Sequence, residues 1–140
     1  MASYRNGSIT KRWIEDGFNG RDMAAFDRYF SANLVDQALP PGVPAGLEGR
    51  KMLAGAFFAA FPDIHLHAED IIEEGERVAM RWMAHGTHQG EFMGIPATGK
   101  QVRITGIAID RFENGQVVEH WEQFDQLSMM QQLGVIPGQS

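Results

Sequence analysis

The sequence predicts an α+β fold, a cone-shaped barrel in which N-terminal helices pack on a curved, mainly antiparallel sheet. Apolar residues recur at helical spacing before Pro62 and alternate with polar residues after it. Farther along, Glu113-Asn114-Gly115 separates two alternating segments and predicts a β-hairpin. A length of 140 residues fits a single domain, which we expect over residues 1–140. Because the helices come first and the strands follow one another, we expect the helices on one face of the sheet, with a pocket at the wide end of the cone.

Three helices are predicted before Pro62, which ends the last of them. Ser8 and Asp22 are candidate N-caps of the first two helices, and the third begins at about Glu48. A proline-rich loop, residues 39–44, separates the second helix from the third. Each helix carries one apolar stripe: Ile9, Trp13 and Phe18 in the first, Met23, Phe26 and Phe30 in the second, and Leu53, Phe57 and Phe61 in the third.

After Pro62 the apolar residues have a period of two, which is typical of strands with one buried face. The clearest strand has a buried side made of Val78, Met80, Trp82 and Ala84, and His88 extends that side. Residues 101–112 and 116–125 are the two strands of the hairpin. A short apolar turn follows, containing Met129, Met130 and Leu133.

The register of the hairpin decides which side chains enter the pocket. We favour a bulged three-residue loop, because glycine occupies its third position, and this loop pairs Phe112 with Gln116. A two-residue turn would instead place Glu122 beside Ile107. Under the bulged loop the inner face carries Gly106, Ala108, Asp110, Val118, His120, Glu122 and Phe124, and the outer face carries Ile107, Ile109, Val117, Trp121 and Asp125.

The composition disfavours several classes of function. Hydrophobic residues make up 44% and charged residues 21%, as in ordinary globular proteins, and no apolar run approaches the roughly 20 residues that span a bilayer. Acidic residues outnumber basic ones by 18 to 12, which disfavours nucleic-acid binding. The absence of cysteine excludes thiolate nucleophiles and cysteine-based zinc sites. We expect a cytoplasmic protein without a signal peptide and without a membrane partner.

His120 and Glu122 are the leading candidates for catalysis, because residues two apart on a strand point to the same side. A carboxylate in an apolar pocket has a raised pKa and can remove a proton, while His120 or His88 could stabilise the resulting oxyanion. The alternative is a solvated strand edge for His120 and Glu122, and a buried structural role for His88. The predicted pocket wall contains Trp13, Phe57, Trp82, Ala108 and Phe124.

Two aspartates are alternative acid or base candidates. Asp36 follows an apolar pair after the second helix, and Asp125 closes the last strand, although aspartates near element ends more often cap or face solvent. His65, His67 and Glu69 share one side of a probable strand and have spacing that permits metal ligation. No fourth ligand is evident, so we predict no metal.

Taken together, these segments resemble the SnoaL-like polyketide cyclases, within the nuclear-transport-factor-2-like superfamily. The resemblance covers nearly the whole chain. It is carried by Gly17-Phe18-Asn19-Gly20 with Asp22, Gly49 through Phe61-Pro62-Asp63, Asp70-Ile71-Ile72, Gly86-Thr87-His88-Gln89-Gly90, Gly94-Ile95-Pro96-Ala97-Thr98-Gly99, Arg111, Asn114-Gly115, Glu119-His120-Trp121-Glu122 and Gln131-Gln132-Leu133-Gly134.

The resemblance implies a cofactor-free intramolecular aldol condensation on a small hydrophobic, polyketide-like ligand that can be aromatic. In the family the acid/base aspartate directly follows a His-x pair on the final strand, and that position here is Glu122, whose arm is one methylene longer. The family cyclases carry a histidine on the preceding strand where this chain has Ala108, whereas the equivalent of His88 is retained.

Other functions on the same cone stay open. A ketosteroid-isomerase-like or epoxide-hydrolase-like enzyme would rely on Asp36, and a non-catalytic module would only bind a small molecule. Epoxide opening would require an Asp-Arg-Asp set in the pocket, but Arg103 and Arg111 are predicted on the face opposite Glu122. Because that opposite face is apolar, we expect a homodimer, or a higher homo-oligomer, that pairs sheet to sheet.

Overall fold

The computed structural model describes residues 5–136 and confirms the α+β architecture of helices on a curved sheet. The elements in chain order are α1 (Asn6–Arg12), a π-helical continuation (Trp13–Asn19), α2 (Met23–Tyr29), β1 (Phe30–Asp36), α3 (Gly46–Ala60), β2 (His65–Glu74), β3 (Arg77–Thr87), β4 (Gln101–Glu113), β5 (Gln116–Phe124) and α4 (Gln126–Leu133). None of the helices in this part of the chain combines the length and apolarity that crossing a bilayer requires.

The five strands form one sheet in the order β1-β5-β4-β3-β2. All neighbouring pairs are antiparallel except β1 and β5, which are parallel. Strand β1 was not among the predicted strands, because its polar residues do not alternate with apolar ones, and Phe30 begins it rather than continuing the helix. The parallel register pairs Asp36 with His120, so the end of β1 lies beside the centre of β5.

The helix boundaries follow local chemistry. Asp22 is confirmed as the N-cap of α2, since its Oδ1 accepts a hydrogen bond from the Ala24 amide at 3.0 Å. Helix α1 begins at Asn6, so the expected cap at Ser8 is wrong. Helix α3 begins at Gly46, slightly earlier than predicted, and ends before Pro62.

The hairpin between β4 and β5 is present, but its turn has two residues. Asn114 and Gly115 have φ angles of 52° and 78°, the left-handed conformations of a type I′ turn. Phe112 therefore pairs with Val117, and the predicted pairing with Gln116 is wrong. Consequently Phe112 and Val117 are both buried, and Val117 lies on the inner face rather than the outer one.

A β-bulge in β5 restores the predicted sharing of faces. Arg111 pairs with Glu119 and Phe112 with Val117, which leaves Val118 as the extra residue. Beyond this bulge the pairs are Asp110 with His120, Ala108 with Glu122 and Gly106 with Phe124. Beyond the bulge the even-numbered residues of both strands share the inner face, as predicted, although each pair is displaced by two residues from the predicted register. Val118, predicted on the inner face, is instead the unpaired residue of the bulge.

The core lies between the helices and the inner face of the sheet. Trp13 and Phe30 meet edge to face with ring centroids 5.3 Å apart, and Phe26 packs beside both rings. Gly106 provides the space for Trp82, because a Cβ atom there would lie 2.5 Å from the indole ring. The inner face of the sheet is therefore shaped by large rings beside small residues, which leaves room for a cavity.

Candidate functional site

A cavity of about 520 Å³ opens between α3 and the inner face of the sheet. Of the predicted wall residues, Trp13, Phe57, Trp82 and Phe124 line it. Ala108 does not: it is buried on β4 opposite Glu122 and lies outside the wall. Among the residues that the structure describes, the charged side chains in the wall are Arg50, His120 and Glu122.

His120 lies between two carboxylates. Its Nδ1 atom is 2.5 Å from Asp110 Oδ1 across the strand pair, and its Nε2 atom is 3.2 Å from Glu122 Oε1 along the same strand. Burial by itself lowers the pKa of His120, but the charge and hydrogen bond of Asp110, with the hydrogen bond to Glu122, raise that pKa to about 9. At neutral pH His120 is therefore an imidazolium that donates to both carboxylates.

Glu122 lines the cavity as a carboxylate. Burial raises its pKa, yet the hydrogen bond and charge of His120 and the charge of Arg50 outweigh burial, and the net result is a lowered pKa. The predicted raised pKa is therefore wrong. The prediction considered only apolar neighbours, whereas two cations lie within reach of the carboxylate.

Arg50 is a charged residue of the cavity wall that was not predicted. Its Nε atom donates a 2.7 Å hydrogen bond to Asp36 Oδ2, and its Nη1 atom lies 3.8 Å from Glu122 Oε1. A signal was available in the sequence, because Arg50 precedes Leu53 and Phe57 at helical spacing on the apolar stripe of α3. A charged residue on such a stripe points toward the core.

The two alternative aspartates lie outside the cavity wall. Asp36 has a fully buried side chain that accepts hydrogen bonds from Arg50 and from the Ala38 amide at 2.9 Å. Asp125 caps α4, since its Oδ1 accepts from the Ser128 amide at 3.0 Å. Asp36 therefore reaches the site only through Arg50, and Asp125 has a local structural contact.

His88 is fully buried and also lies outside the wall. Its Nδ1 atom accepts from the Thr98 amide at 3.2 Å and lies 2.9 Å from the Thr98 hydroxyl, while its ring packs against Phe61. The backbone of His88 is also tied to Lys100 and Gly99. His88 thus joins the two ends of the loop that connects β3 to β4.

The predicted metal-compatible histidines are on strand β2, away from the cavity wall. His67 Nε2 lies 3.1 Å from His85 Nε2, and the His65 ring is 4.6 Å from the His67 ring. Within residues 5–136, no group of three or more histidine, aspartate or glutamate side chains is arranged to hold a metal ion.

Comparison with known proteins agrees with this architecture. The profile of the SnoaL-like polyketide cyclases matches residues 8–133. Aklanonic acid methyl ester cyclase DauD from Streptomyces sp. (strain C5) is 31% identical over 135 residues, which cover 90% of this chain and 80% of that protein.

Solved structures share the fold of this chain. IdmH from Streptomyces antibioticus, a proposed polyketide cyclase, is 32% identical with a TM-score of 0.83 and covers 94% of this chain and 99% of its own. AclR from Streptomyces galilaeus, a proposed hydroxylase, is 27% identical with a TM-score of 0.84, covering 96% and 84%. The profile match over residues 8–133 and the identity to DauD over most of both chains show that this chain belongs to the SnoaL-like polyketide cyclase family.

Proposed function

We propose that the protein is a cofactor-independent cyclase that uses Glu122 as a general base on a carbon acid. The observation that carries this proposal is the ionised Glu122 carboxylate in the cavity wall, held 3.2 Å from His120. A base must be unprotonated before it can act, and the cations beside Glu122 keep it so at neutral pH. The relatives named as cyclases support the same chemistry.

The reaction can be written with the groups in the wall. Glu122 takes a proton from the carbon next to a carbonyl, and the electron pair of the broken C–H bond moves into an enolate. The enolate carbon then bonds to a second carbonyl carbon of the same molecule. The oxygen of that carbonyl becomes an alkoxide and receives the proton from Glu122. No redox change occurs, and Glu122 returns to its carboxylate form.

His120 has a supporting part in this proposal. Both of its ring nitrogens are engaged, one by Asp110 and one by Glu122, so His120 is a positioning residue rather than the oxyanion donor. Its hydrogen bond to Glu122 holds that carboxylate in one rotamer. Acid–base groups of this kind contribute about 10²–10⁴-fold, and orientation of a flexible substrate must supply much of the remainder.

The cavity supports a small hydrophobic ligand, including an aromatic polyketide-like one. Its volume of about 520 Å³ lies within the usual range for ligand sites. Rings from Trp13, Phe57, Trp82 and Phe124 provide flat apolar walls.

Epoxide opening is the alternative that one observation favours. Arg50 stands between Asp36 and Glu122, which is an acid–arginine–acid set assembled from α3 rather than from Arg103 or Arg111. However, the Asp36 side chain is fully buried and cannot contact a ligand. Glu122 is therefore the one carboxylate of the set that can contact a ligand. This supports proton removal from a carbon acid rather than epoxide opening, which would require both carboxylates.

The test uses tricyclic aromatic methyl esters that carry an enolisable carbon facing a second carbonyl. We expect conversion to an isomer of unchanged mass, with uptake of solvent deuterium at the enolisable carbon during reaction in D₂O. The Glu122→Gln variant is the matched control, because it keeps the size and the hydrogen bond to His120. Tight binding of these esters without conversion or exchange would support the binding-module alternative instead.

We also propose that two copies pair through the outer face of the sheet. Ile72, Ala79, Ile109 and Trp121 follow one another in register across β2, β3, β4 and β5 and form an apolar row. Ile72 is 65% exposed and Ile109 40% exposed in the single chain. An apolar row of this width favours association with a second copy.

A further inference from the structure

We propose that Arg50 binds the carbonyl oxygen that becomes the enolate oxyanion when Glu122 removes the proton. This assignment rests on the proposed function and adds to it the residue that receives the developing charge. The general requirement is a hydrogen-bond donor, already in place, beside the position where negative charge appears. Arg50 meets it by its location, its charge and its unused N–H groups.

The guanidinium of Arg50 is incompletely satisfied within the described part of the chain. Nε donates to Asp36. Nη1 lies 3.8 Å from Glu122 Oε1, beyond hydrogen-bond distance, and Nη2 is buried without a partner among residues 5–136. Burying a charged donor without a partner is unfavourable, so native proteins rarely leave one unless it serves a function. The side chain is 13% exposed and lines the cavity, and Nη1 is its terminal N–H group that is not buried.

The other polar groups of the wall fit this role less well. Both nitrogens of His120 are engaged by carboxylates. Trp13 Nε1 and Trp82 Nε1 are also buried and have no partner within residues 5–136, but an indole N–H carries no charge. Arg50 is therefore a cationic donor in the wall with an N–H group free for a ligand, and it stands beside the base.

Proton transfer moves the negative charge from Glu122 to the substrate oxygen, and Arg50 can stabilise the charge in both positions. Before the reaction the negative charge is on Glu122, and afterwards Glu122 is neutral and the charge is on the enolate oxygen. An arginine next to Glu122 faces an anion in both states, since the charge moves only as far as the substrate carbonyl. Its planar fork can then donate to the new oxyanion without large rearrangement.

Asp36 is the positioning residue for this arginine. It accepts from Arg50 Nε and from the Ala38 amide, and its side chain has no exposed surface. These contacts fix the direction of the guanidinium, so that its remaining N–H groups face away from Asp36. Loss of Asp36 should therefore change the orientation of Arg50 without removing the charge.

The test uses alizarin, a hydroxyanthraquinone whose phenolate absorbs at longer wavelength than its phenol. Bound phenolate mimics the enolate, because the phenol proton can pass to Glu122 while the negative oxygen remains. We expect the wild-type protein to lower the apparent pKa of bound alizarin. The Arg50→Met variant should weaken its ionisation by about tenfold or more, whereas Arg50→Lys should keep part of the effect.

Lys51→Gln is the matched control, because Lys51 is the next residue of α3 and pairs with Asp27 outside the cavity. It removes the same charge and should leave the titration unchanged. Because Arg50→Met leaves Asp36 unpaired, the double variant Asp36→Asn/Arg50→Met repeats the test in a protein without that buried carboxylate. Its near-ultraviolet circular dichroism, compared with the wild type, reports the packing of the fold.

Failure of alizarin to bind, or an Arg50→Met or double-variant titration equal to that of the wild type, would overturn the assignment. With a turned-over substrate, the same variants should lower kcat by about 10²–10³-fold with a smaller change in KM. Arg50-dependent ionisation of alizarin without any carbon-acid turnover would keep the oxyanion site and remove the aldol chemistry. The two proposals can therefore fail separately.

Discussion

His120 Nδ1 lies 2.5 Å from Asp110 Oδ1, across the β4–β5 pair and on the inner face of the sheet. The contact exists because the bulge at Val118 shifts the register and brings Asp110 opposite His120. The contact keeps His120 protonated at neutral pH, and the proton on Nε2 faces Glu122. A residue without a role in the sequence analysis, Asp110, thus controls the two residues that had one.

Glu122→Gln should leave the fold intact and lower turnover by about 10²-fold or more. The amide keeps the shape of the side chain but cannot accept the proton from a carbon acid. Steady-state turnover of the ring-closing reaction, with circular dichroism as the folding control, checks this. Turnover close to that of the wild type would contradict the assignment of Glu122 as the base.

The stability of the protein should fall as the pH rises from about 6.5 to about 9. The pKa of His120 is raised in the folded state, from 6.5 to about 9, so its contribution is complete below the unfolded pKa and is lost as pH rises through the folded pKa. The contribution is on the order of 3 kcal/mol. Urea unfolding at pH 6 and pH 9.5 measures it.

Asp110→Asn is the matched variant for this measurement. It removes the charge that raises the pKa of His120, so the fall in stability over this pH range should become much smaller. An unchanged pH dependence in Asp110→Asn would show that another group is responsible.

Asp36→Asn should reduce turnover much less than Glu122→Gln does, because Asp36 acts only through Arg50. Its main effect should be on stability, since one partner of a buried ion pair loses its charge, a change that can cost about 3–5 kcal/mol. The Asn oxygen can still accept from the Ala38 amide, which limits the loss. Parallel unfolding and turnover measurements check both parts. A collapse of turnover confined to Asp36→Asn would instead favour the isomerase-like alternative.

Sedimentation at micromolar concentration should show a dimer that buries more than about 1,000 Å² in total. Ile109→Lys places a charge in the centre of the apolar row and should give a monomer with an unchanged cavity. A wild-type protein that sediments only as a monomer would rule out pairing through this face.

Activity should survive tight chelators, and elemental analysis should find no stoichiometric metal. His65 and His67 are then ordinary residues of the strand surface, so a His65→Ala/His67→Ala variant should also keep its activity. Inactivation by a chelator with recovery on adding zinc would contradict this prediction.

The layers of the fold can be predicted from the sequence alone. Helical stripes before Pro62 and a period of two after it suffice to predict helices on a sheet. Helical spacing gathers apolar residues on one face of a helix, whereas a period of two gathers them on one face of a strand. The same period of two places His120 and Glu122 on one side of β5. These are local properties, and they do not depend on which segments meet.

The chemistry of the site depends on contacts that form only in the folded chain. The bulge at Val118, the parallel pairing of β1 with β5 and the approach of Arg50 to Glu122 all join segments that are distant in sequence. The pKa of Glu122 is lowered rather than raised because the cations beside it outweigh burial, and one of them comes from α3. Electrostatic effects depend on distances between charges in space, and a linear pattern of residues does not contain those distances.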